Sequence, residues 1–308
     1  MIRRKRGGPR GSLRSRWSNT TAATGWGEST FAEQAWGQSR SAATRWAVAG
    51  VLAGAAFGVV AFAPAAWLAE RVASATDQRL LLADARGTVW AGSAVAVLTG
   101  GAGSRDASAL PGRVDWSVGP TWLGFSHGGV GFELLARQAC CLNGTVVVIV
   151  KPGFGRVSAT LVPPSGWVGQ WPAAWLVGLG TPWNTLQLGG VLRLASPGLT
   201  VETAQGRWRV DGQAELALMG ASSRLATVSP LGSYRLTLTG DAANAGVSQL
   251  GLGTQDGALQ LSGNGSWAAN GVRFRGEARA APGAEAALSN LLNIIGRRDG
   301  ARSVISIG

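Results

Sequence analysis

The apolar and polar residues of the chain fall into three successive patterns. Residues 1–45 are polar and basic and show no apolar periodicity. The segment 46–68 then runs for 23 residues without a charge. From about residue 80 onward, short segments of alternating apolar and polar residues are separated by glycine-rich turns, which is the pattern of half-buried β-strands. The chain is therefore expected to consist of a tail, 1–45, one apolar helix, 46–68, and a β-rich domain, 69–308.

The apolar segment predicts a transmembrane helix. A helix that rises about 1.5 Å per residue would extend about 35 Å over this segment, which is enough to cross a hydrocarbon core of about 30 Å. Trp46 and Trp67 stand near its two ends, where indole rings favour the membrane interface. A cleaved signal peptide is the alternative, since 61–63 and 73–75 offer small-residue cleavage sites, but the preceding region and the apolar run are both too long for one.

The positive charge of the chain belongs mainly to the tail. The formal net charge is +12, and residues 1–45 hold nine Lys and Arg against two acids. Such a segment buries too little to offset its ordering entropy, so we predict that it is disordered. Arginines interleaved with tryptophans leave RNA binding open, but attraction to anionic lipid headgroups is the plainer interpretation. The charge bias places the N-terminus in the cytoplasm and the β domain across the membrane.

The alternating segments predict a mainly β fold, a curved, glycine-rich antiparallel sheet with meander connections and one or two short helices. Gly accounts for 47 of 308 residues without a collagen period. The strands are expected at 80–83, 88–91, 94–98, 114–118, 145–150, 156–162, 186–194, 207–210, 215–219, 234–239, 258–262 and 272–278. The sequence does not decide whether they form one sheet or two halves that meet near 178–183.

Helices are expected at 172–177 and at 284–295. The second carries Leu288, Leu291, Leu292 and Ile295 on one stripe, with Gly296 placed to cap its C-terminus. Among the strands, six alternating residues are expected to face the core. They are Leu236, Leu238, Leu259, Leu261, Val272 and Phe274.

No group of residues suggests catalysis, so the sequence predicts a protein that is not an enzyme and has no catalytic, cofactor-binding or metal-binding residues. His127 is the single histidine, and neither a phosphate-binding loop, a serine-hydrolase motif nor a dinucleotide fingerprint occurs. A periplasmic hydrolase is therefore disfavoured. We expect no nucleic acid and no small-molecule substrate as partners. The remaining alternative is a lipid- or ligand-binding module that uses the apolar face of a curved sheet.

Two other groups of residues leave alternatives open. Cys140 and Cys141 form either a strained bridge between neighbours or, as the plainer interpretation, two thiols at a strand start with at least one buried. A cluster of four tryptophans exceeds what a single helix needs. Core filling is its ordinary explanation, and a protein-binding surface is the functional one. These four are Trp167, Trp171, Trp175 and Trp183.

Six segments, read in order, resemble protein N of the type II, or general, secretion pathway. They include a Gly87-Thr88-Val89-Trp90-Ala91-Gly92 turn, and each is architectural rather than catalytic. Single segments are weak signals, whereas their order and spacing over roughly residues 50–300, together with the anchor, are specific. The residues that carry the resemblance are Gly87, Thr88, Trp90, Gly92, Pro111, Trp116, Gly232, Tyr234, Gly257, Gly263, Phe274, Gly276 and Gly296.

The resemblance implies an accessory subunit, anchored in the inner membrane, of the Gram-negative machine that exports folded proteins from the periplasm. Its β domain would be periplasmic. Its partners would be other components of that machine, namely the inner-membrane platform and the outer-membrane secretin, between which it would act as a scaffold. The tail 1–45 is longer than the family leads us to expect.

Overall fold

A computed structural model describes residues 25–123, 129–204, 207–240, 246–268 and 271–308, with the side chains of 25–42 left out. His127 lies outside the described residues, as does the part of the tail before Gly25. The chain divides into two units, Met1–Ala61 and Phe62–Gly308.

The described part of the first unit is one helix, α1 (Gly25–Ala61). Its backbone is already helical from Gly25, so the disorder expected up to residue 45 does not extend over 25–45. Within the described residues, one segment, Ala43–Ala61, is long and apolar enough to cross a membrane, by length and composition alone, with a mean hydropathy of 1.5. The side chains of 43–61 are largely exposed, as those of a helix surrounded by lipid would be.

The helix stops earlier than the apolar pattern does. The segment expected to be continuous over 46–68 is interrupted after Ala61, and a second helix, α2 (Ala65–Ala75), begins after Pro64. Proline lacks the backbone N–H that continues a helix and disfavours the helical conformation in the residue before it. The division into 1–45, 46–68 and 69–308 stays a prediction, with this break inside its second part.

The second unit is mainly β, and its described residues form one antiparallel sheet of sixteen strands. The strands are β1 (Leu80–Gly87), β2 (Ala91–Thr99), β3 (Ala107–Ala109), β4 (Val114–Trp122), β5 (Val130–Arg137), β6 (Val146–Gly153), β7 (Arg156–Leu161), β8 (Trp167–Pro172), β9 (Gly189–Ala204), β10 (Arg207–Ser222), β11 (Gly232–Gly240), β12 (Val247–Gly257), β13 (Leu259–Ala268), β14 (Gly271–Ala280), β15 (Arg297–Asp299) and β16 (Arg302–Ile307). Helical segments are α2, a 3₁₀ helix (Ala173–Leu179), α3 (Trp183–Leu186) and α4 (Glu285–Ile295).

Neighbouring strands are mostly consecutive in the chain, as expected for a meander. The order is β1-β2-β4-β5-β6-β7-β9-β10-β11-β12-β13-β14-β16-β15, with β3 paired to β2 and β8 to β9. The sheet forks at β9, because the first half of this strand pairs with β8 and its second half with β7. The sheet is therefore one body and not two halves, and 178–183 connects the 3₁₀ helix to α3.

Apolar burial is divided among three clusters instead of one. The largest lies under α4, where Leu288, Leu291 and Leu292 are almost fully buried, so the predicted stripe packs as expected while Ile295 stays partly buried. A second cluster joins Ala65 of α2 to Ala94 and Trp116. The third is built by Ala96, Leu110 and Cys141 under Trp171 and Trp175. A sheet this wide buries its faces only where another element covers them.

Several local expectations were wrong. Residues 88–90 form a turn instead of a strand, since β1 continues to Gly87. Segments 207–210 and 215–219 are parts of the single strand β10. Strands β3, β5, β8, β12, β15 and β16 were not predicted.

Two residues differ from their expected environments. Val272 is 39% exposed, because it lies at the open end of β14, whereas Phe274, two residues on, is buried. Gly296 ends α4 but does so in an extended conformation, φ −165°, and not as a left-handed cap. A side chain at Gly296 would collide with the Val304 carbonyl, so close approach to β16 explains the glycine there.

Truncation of the buried stripe should destabilise the sheet strongly. Leu291→Ala removes a side chain that is 1% exposed, and the cavity should lower the free energy of unfolding by about 2–5 kcal/mol. Ile294→Ala, on the same helix and 45% exposed, is the matched control and should change it by less than about 1 kcal/mol. Urea unfolding of the detergent-solubilised chain measures both, and equal losses would contradict the assigned packing of α4.

Candidate interaction surface

The turn between β1 and β2 holds the chain segment that opens the second unit. Pro64 forms a β-bridge with Thr88, and the Val89 amide donates a 2.9 Å hydrogen bond to the Ala63 carbonyl. The Trp116 indole N–H donates in turn to the Val89 carbonyl at 3.1 Å. These contacts pair the chain with the sheet from Ala63, the second residue of the second unit, onward. We call these residues, 63–64 and 87–92 with Trp116, the tether turn.

The glycines of the tether turn are required by close packing. Gly87 has a φ of +87°, which favours glycine. A Cβ at Gly92 would lie 2.6 Å from the Trp116 ring and 2.5 Å from the Arg86 carbonyl. Trp90 places its ring 6.1 Å from that of Phe132. The resemblance to Gly-Thr-Val-Trp-x-Gly therefore falls on a turn that pairs with Ala63 and Pro64, the residues that follow the apolar helix in the chain.

A carboxylate bound by two arginines stabilises the same hairpin. Asp84, at a bulge in β1, binds Arg113 at 2.7 Å and Arg86 at 2.8 Å. Hydrogen bonds from Arg113, and then from Arg86, hold the pKa of the Asp84 carboxyl below its usual range. Arg113 also donates to the Ser93 hydroxyl and carbonyl, so these contacts join β1 to β2.

The four clustered tryptophans do not form one surface. Trp171 and Trp175 pack into the cluster around Cys141, and the Trp175 indole donates to the Ser108 carbonyl at 2.9 Å. The Trp171 ring lies over Gly169, where a Cβ would come within 2.6 Å of it. These two side chains fasten β8 and the 3₁₀ helix to β2 and β3. Their role is structural.

Trp167 is the member that remains available. It is 39% exposed, and the Arg193 guanidinium lies 4.7 Å from its ring centre in a cation–π arrangement. Arg193 also donates to the Gln170 amide oxygen at 3.2 Å, while its Nε has no hydrogen-bond partner among the described residues. Trp183 begins α3 and is half-buried. We call Trp167 with Arg193 the Trp167 patch.

Cys140 and Cys141 are joined to each other by a disulfide, the alternative that the sequence left as the less plain one. Cys141 is buried, and its carbonyl accepts a 2.7 Å hydrogen bond from the backbone N–H of Gln170. Leu142 forms a bridge to Gly169. The bridged turn thus supports the strand that carries Trp167. Nearby, the Pro111 carbonyl accepts a 3.4 Å bond from buried Gln138.

The remaining motif residues pack aromatic rings against glycines. The Tyr234 hydroxyl donates to the Leu259 carbonyl at 3.0 Å, and burial, followed by the Asp256 carboxylate, raises the pKa of that hydroxyl. Gly232 pairs with Gly257 beside it, both at positive φ.

Phe274 lies across Gly263 and Gly276 of β13 and β14, where a Cβ would collide with its ring. These residues bring strands close together and present no reactive group.

Sequence reasoning missed Arg193 as a partner of Trp167. The two residues are separated by the helical insertion and meet only because β8 pairs with the first half of β9. No spacing signal joins them, and an arginine in a strand is unremarkable by itself. The cluster of tryptophans drew attention to the right segment, but it could not distinguish the exposed ring from the two packed ones.

Enlarging the tether turn should loosen it. Gly92→Ala should lower the free energy of unfolding by about 1–3 kcal/mol, because the new methyl group collides with Trp116. Gly119→Ala on β4, which has open space for a Cβ, is the control and should have a small effect. Hydrogen exchange at the Val89 amide should accelerate in the first variant alone. Unchanged protection at Val89 would count against the tether turn.

Acid should weaken the β1–β2 hairpin through Asp84. Because the pKa of this carboxyl is depressed on folding, its contribution is present above the unfolded pKa, about 3.9, and is lost as pH falls through the lower folded value. Asp84→Asn should therefore unfold with less dependence on pH below about 4 than the wild type. Thermal unfolding of the detergent-solubilised chain between neutral and strongly acidic buffer measures this. Parallel curves for the two proteins would disprove the assignment.

The comparisons with known proteins agree with this architecture. The family model described as "Type II secretion system (T2SS), protein N" matches residues 78–305, which begin just before β1 and end within β16. No curated protein and no solved structure matches the chain. The match covers far more than half of the chain and nearly the whole sheet. The chain therefore belongs to the protein N family of the type II secretion system.

Proposed function

We propose that this protein is a non-enzymatic subunit of the type II secretion system that links the inner-membrane platform to the outer-membrane secretin. Membership of the family implies a role in type II secretion. The observation that carries the finer proposal is the tether turn. Backbone pairing of residues 63 and 64 with the β1–β2 turn leaves almost no flexible linker after Ala61. Because the sheet follows the apolar helix so closely along the chain, it is suited to positioning a partner near the membrane and not to catalysis.

The topology follows from the charge bias and the apolar helix. Eight Lys and Arg precede the segment Ala43–Ala61, and a ninth, Arg45, lies at its start, so the N-terminus belongs in the cytoplasm and the sheet in the periplasm of an inner-membrane protein with a single span. In the periplasm, the compartment is oxidising, which fits the bridge between Cys140 and Cys141.

The Trp167 patch is the contact surface that we propose for a pathway partner. Tryptophan and arginine are the residues most enriched at interface anchors. The strand beneath the patch is held on one side by β9 and on the other by the bridged turn, so the ring is preorganised. The alternative is that a partner strand adds to an edge strand of the sheet. This is less favoured, because one edge strand, β1, is bulged, and the other, β15, has three residues that include two exposed arginines.

Removal of the indole should weaken secretion without unfolding the protein. Trp167→Ala, expressed in place of the native gene, should lose about 2 kcal/mol of partner binding and reduce export of a native substrate. A photoreactive residue at position 167 should cross-link to a secretion component in living cells. Met219, which is 38% exposed, is the control position for both changes.

The whole proposal is tested by deletion of the gene. Loss of secretion that is restored by the wild type and not by Trp167→Ala supports it, provided that membrane levels of the two proteins are equal. Normal secretion after deletion, with no pathway component co-purifying with the protein, would overturn it.

A further inference from the structure

Exposed apolar side chains of the second unit collect at one end of the sheet. The register shows that these positions share an end: Gly87 pairs with Gly92 there, and the Trp122 end of β4 lies opposite the start of β5. Farther along, Arg156 pairs with Ala204, and Ser248 pairs with Trp267. We call this end the tether rim, because it is also the end at which the tether turn lies. Its exposed residues include Trp122, Val130, Phe154, Trp208, Trp267 and Val272.

The rings at the tether rim are unusually open to solvent for their size. Phe154, at the tip of the β6–β7 turn, is fully exposed. Trp122 is 62% exposed and Trp208 is 57% exposed. Trp208 and Trp267 also line one cleft of about 250 Å³. Single exposed apolar residues are ordinary, but exposed aromatic rings repeated along successive strand ends mark an interaction surface.

Arginines accompany these rings. Arg156, Arg207 and Arg273 are exposed at the same end, and none of them forms an ion pair with a described residue. Other exposed arginines, among them Arg224 and Arg297, also form no ion pair with a described residue, so the rim is distinguished by having such arginines beside exposed rings. Glu202 and Asp211 lie near the rim but farther along their strands, opposite Arg209 and Thr200. Among the described residues, the outermost positions therefore combine apolar rings with arginines that have no carboxylate partner.

The short covalent connection between the apolar helix and the tether rim indicates what the rim contacts. The apolar segment ends at Ala61, and Ala63 is already hydrogen-bonded to the tether turn, so one residue, about 7 Å of extended chain from Ala61 to Ala63, separates the helix end from the rim. Phe62, between them, is 79% exposed. If the helix crosses a membrane, the rim starts at the lipid–water interface. Indole rings prefer that depth, and arginines bind anionic headgroups there.

We propose that the tether rim is a second membrane contact, in which rings such as Phe154 enter the interface and the neighbouring arginines bind anionic phospholipid headgroups. The proposal rests on the proposed function in one respect, the spanning of the membrane by α1. It follows from the proposal that the strand ends of the tether rim face the membrane surface. Adjacent strands rotate by about 20–25°, so the tips nearest the tether turn, from Trp122 to Phe154, enter first.

Fluorescent labels at three positions test the contact. Full-length Phe154→Cys, Ile294→Cys and Val51→Cys variants are labelled with an environment-sensitive dye and reconstituted into liposomes of phosphatidylethanolamine and phosphatidylglycerol. The wild type gives the labelling background, because its two cysteines are bonded to each other. The dye at 154 should shift to shorter wavelength and be quenched by lipids spin-labelled near the headgroup. Ile294, at the opposite end of the sheet and 45% exposed, should report water.

The outcomes separate the two levels of the proposal. Quenching at 51 by deeply spin-labelled lipid, without any quenching at 154, would overturn the membrane contact and leave the anchor intact. It would then indicate a protein partner for the rim. Absence of quenching at 51 would overturn the spanning helix, and the rim contact with it. Quenching at 154 that equals quenching at 294 would also reject the proposal.

The arginines provide a second readout. A variant with Arg156→Gln, Arg207→Gln and Arg273→Gln should lose much of the quenching at 154, and replacement of the lipids by phosphatidylcholine should have the same effect on the unsubstituted rim. Arg279→Gln, Arg302→Gln and Arg235→Gln form the matched control of equal charge change away from the rim. Equal losses in the two triple variants would show a non-specific effect of net charge and would overturn the role of the arginines.

Discussion

The sixteen-residue strands β9 and β10 pair along almost their whole lengths, and both parts of the sheet continue from this hairpin. On one side, β9 is long enough to pair with β8 and then with β7, so it joins the tryptophan-bearing insertion to the meander of the first strands. On the other side, β10 begins the meander that leads to α4. This ladder connects the parts of the sheet on which the three apolar clusters lie. The clusters do not connect those parts themselves, because each is covered by a different element.

A sheet with few covering helices obtains its cohesion from backbone hydrogen bonds and from close approach of strands. Glycine makes that approach possible. At Gly263 and Gly276 the Phe274 ring occupies the space of absent side chains, and at Gly92 the Trp116 ring does the same. Glycine and aromatic residues therefore act as pairs, one supplying the gap and the other the buried area. The family resemblance falls on these pairs, which explains why its residues describe an architecture and contain no reactive group.

The two ends of the sheet differ in what they can contact. One end carries the tether turn, the exposed rings and arginines that form no ion pair with a described residue, and it is covalently next to the apolar helix. The other end carries α4, the bridged cysteines and the Trp167 patch. In the membrane contact that we propose the first end meets lipid, and in the function that we propose the second end meets a protein. A scaffold between two membranes needs such a separation of surfaces, since each contact would otherwise exclude the other.

Much of the local structure was predictable from the sequence, and its failures have physical causes. Alternation located β4, β6, β11 and most of β14, and the leucine stripe located α4, because burial of one face imposes its period on the chain. Gly-rich β12 and the acidic residue within β5 weakened that signal, so both strands were missed. Val89 and Trp90 have high β propensity and were assigned to a strand. They form a turn because Gly87 and Gly92 pair with each other, which is a contact that propensity does not contain.

By itself, the sequence determined a basic segment before one apolar helix, a mainly antiparallel β domain, the absence of any recognisable catalytic motif, and a resemblance to secretion protein N. These depend on composition, period and order along the chain. The tertiary structure decided which of four tryptophans is exposed, that Arg193 is its partner, and that rings from distant hairpins share the end of the sheet that carries the tether turn. Such facts depend on strand register, and a shift of one residue in register turns every side chain to the other face.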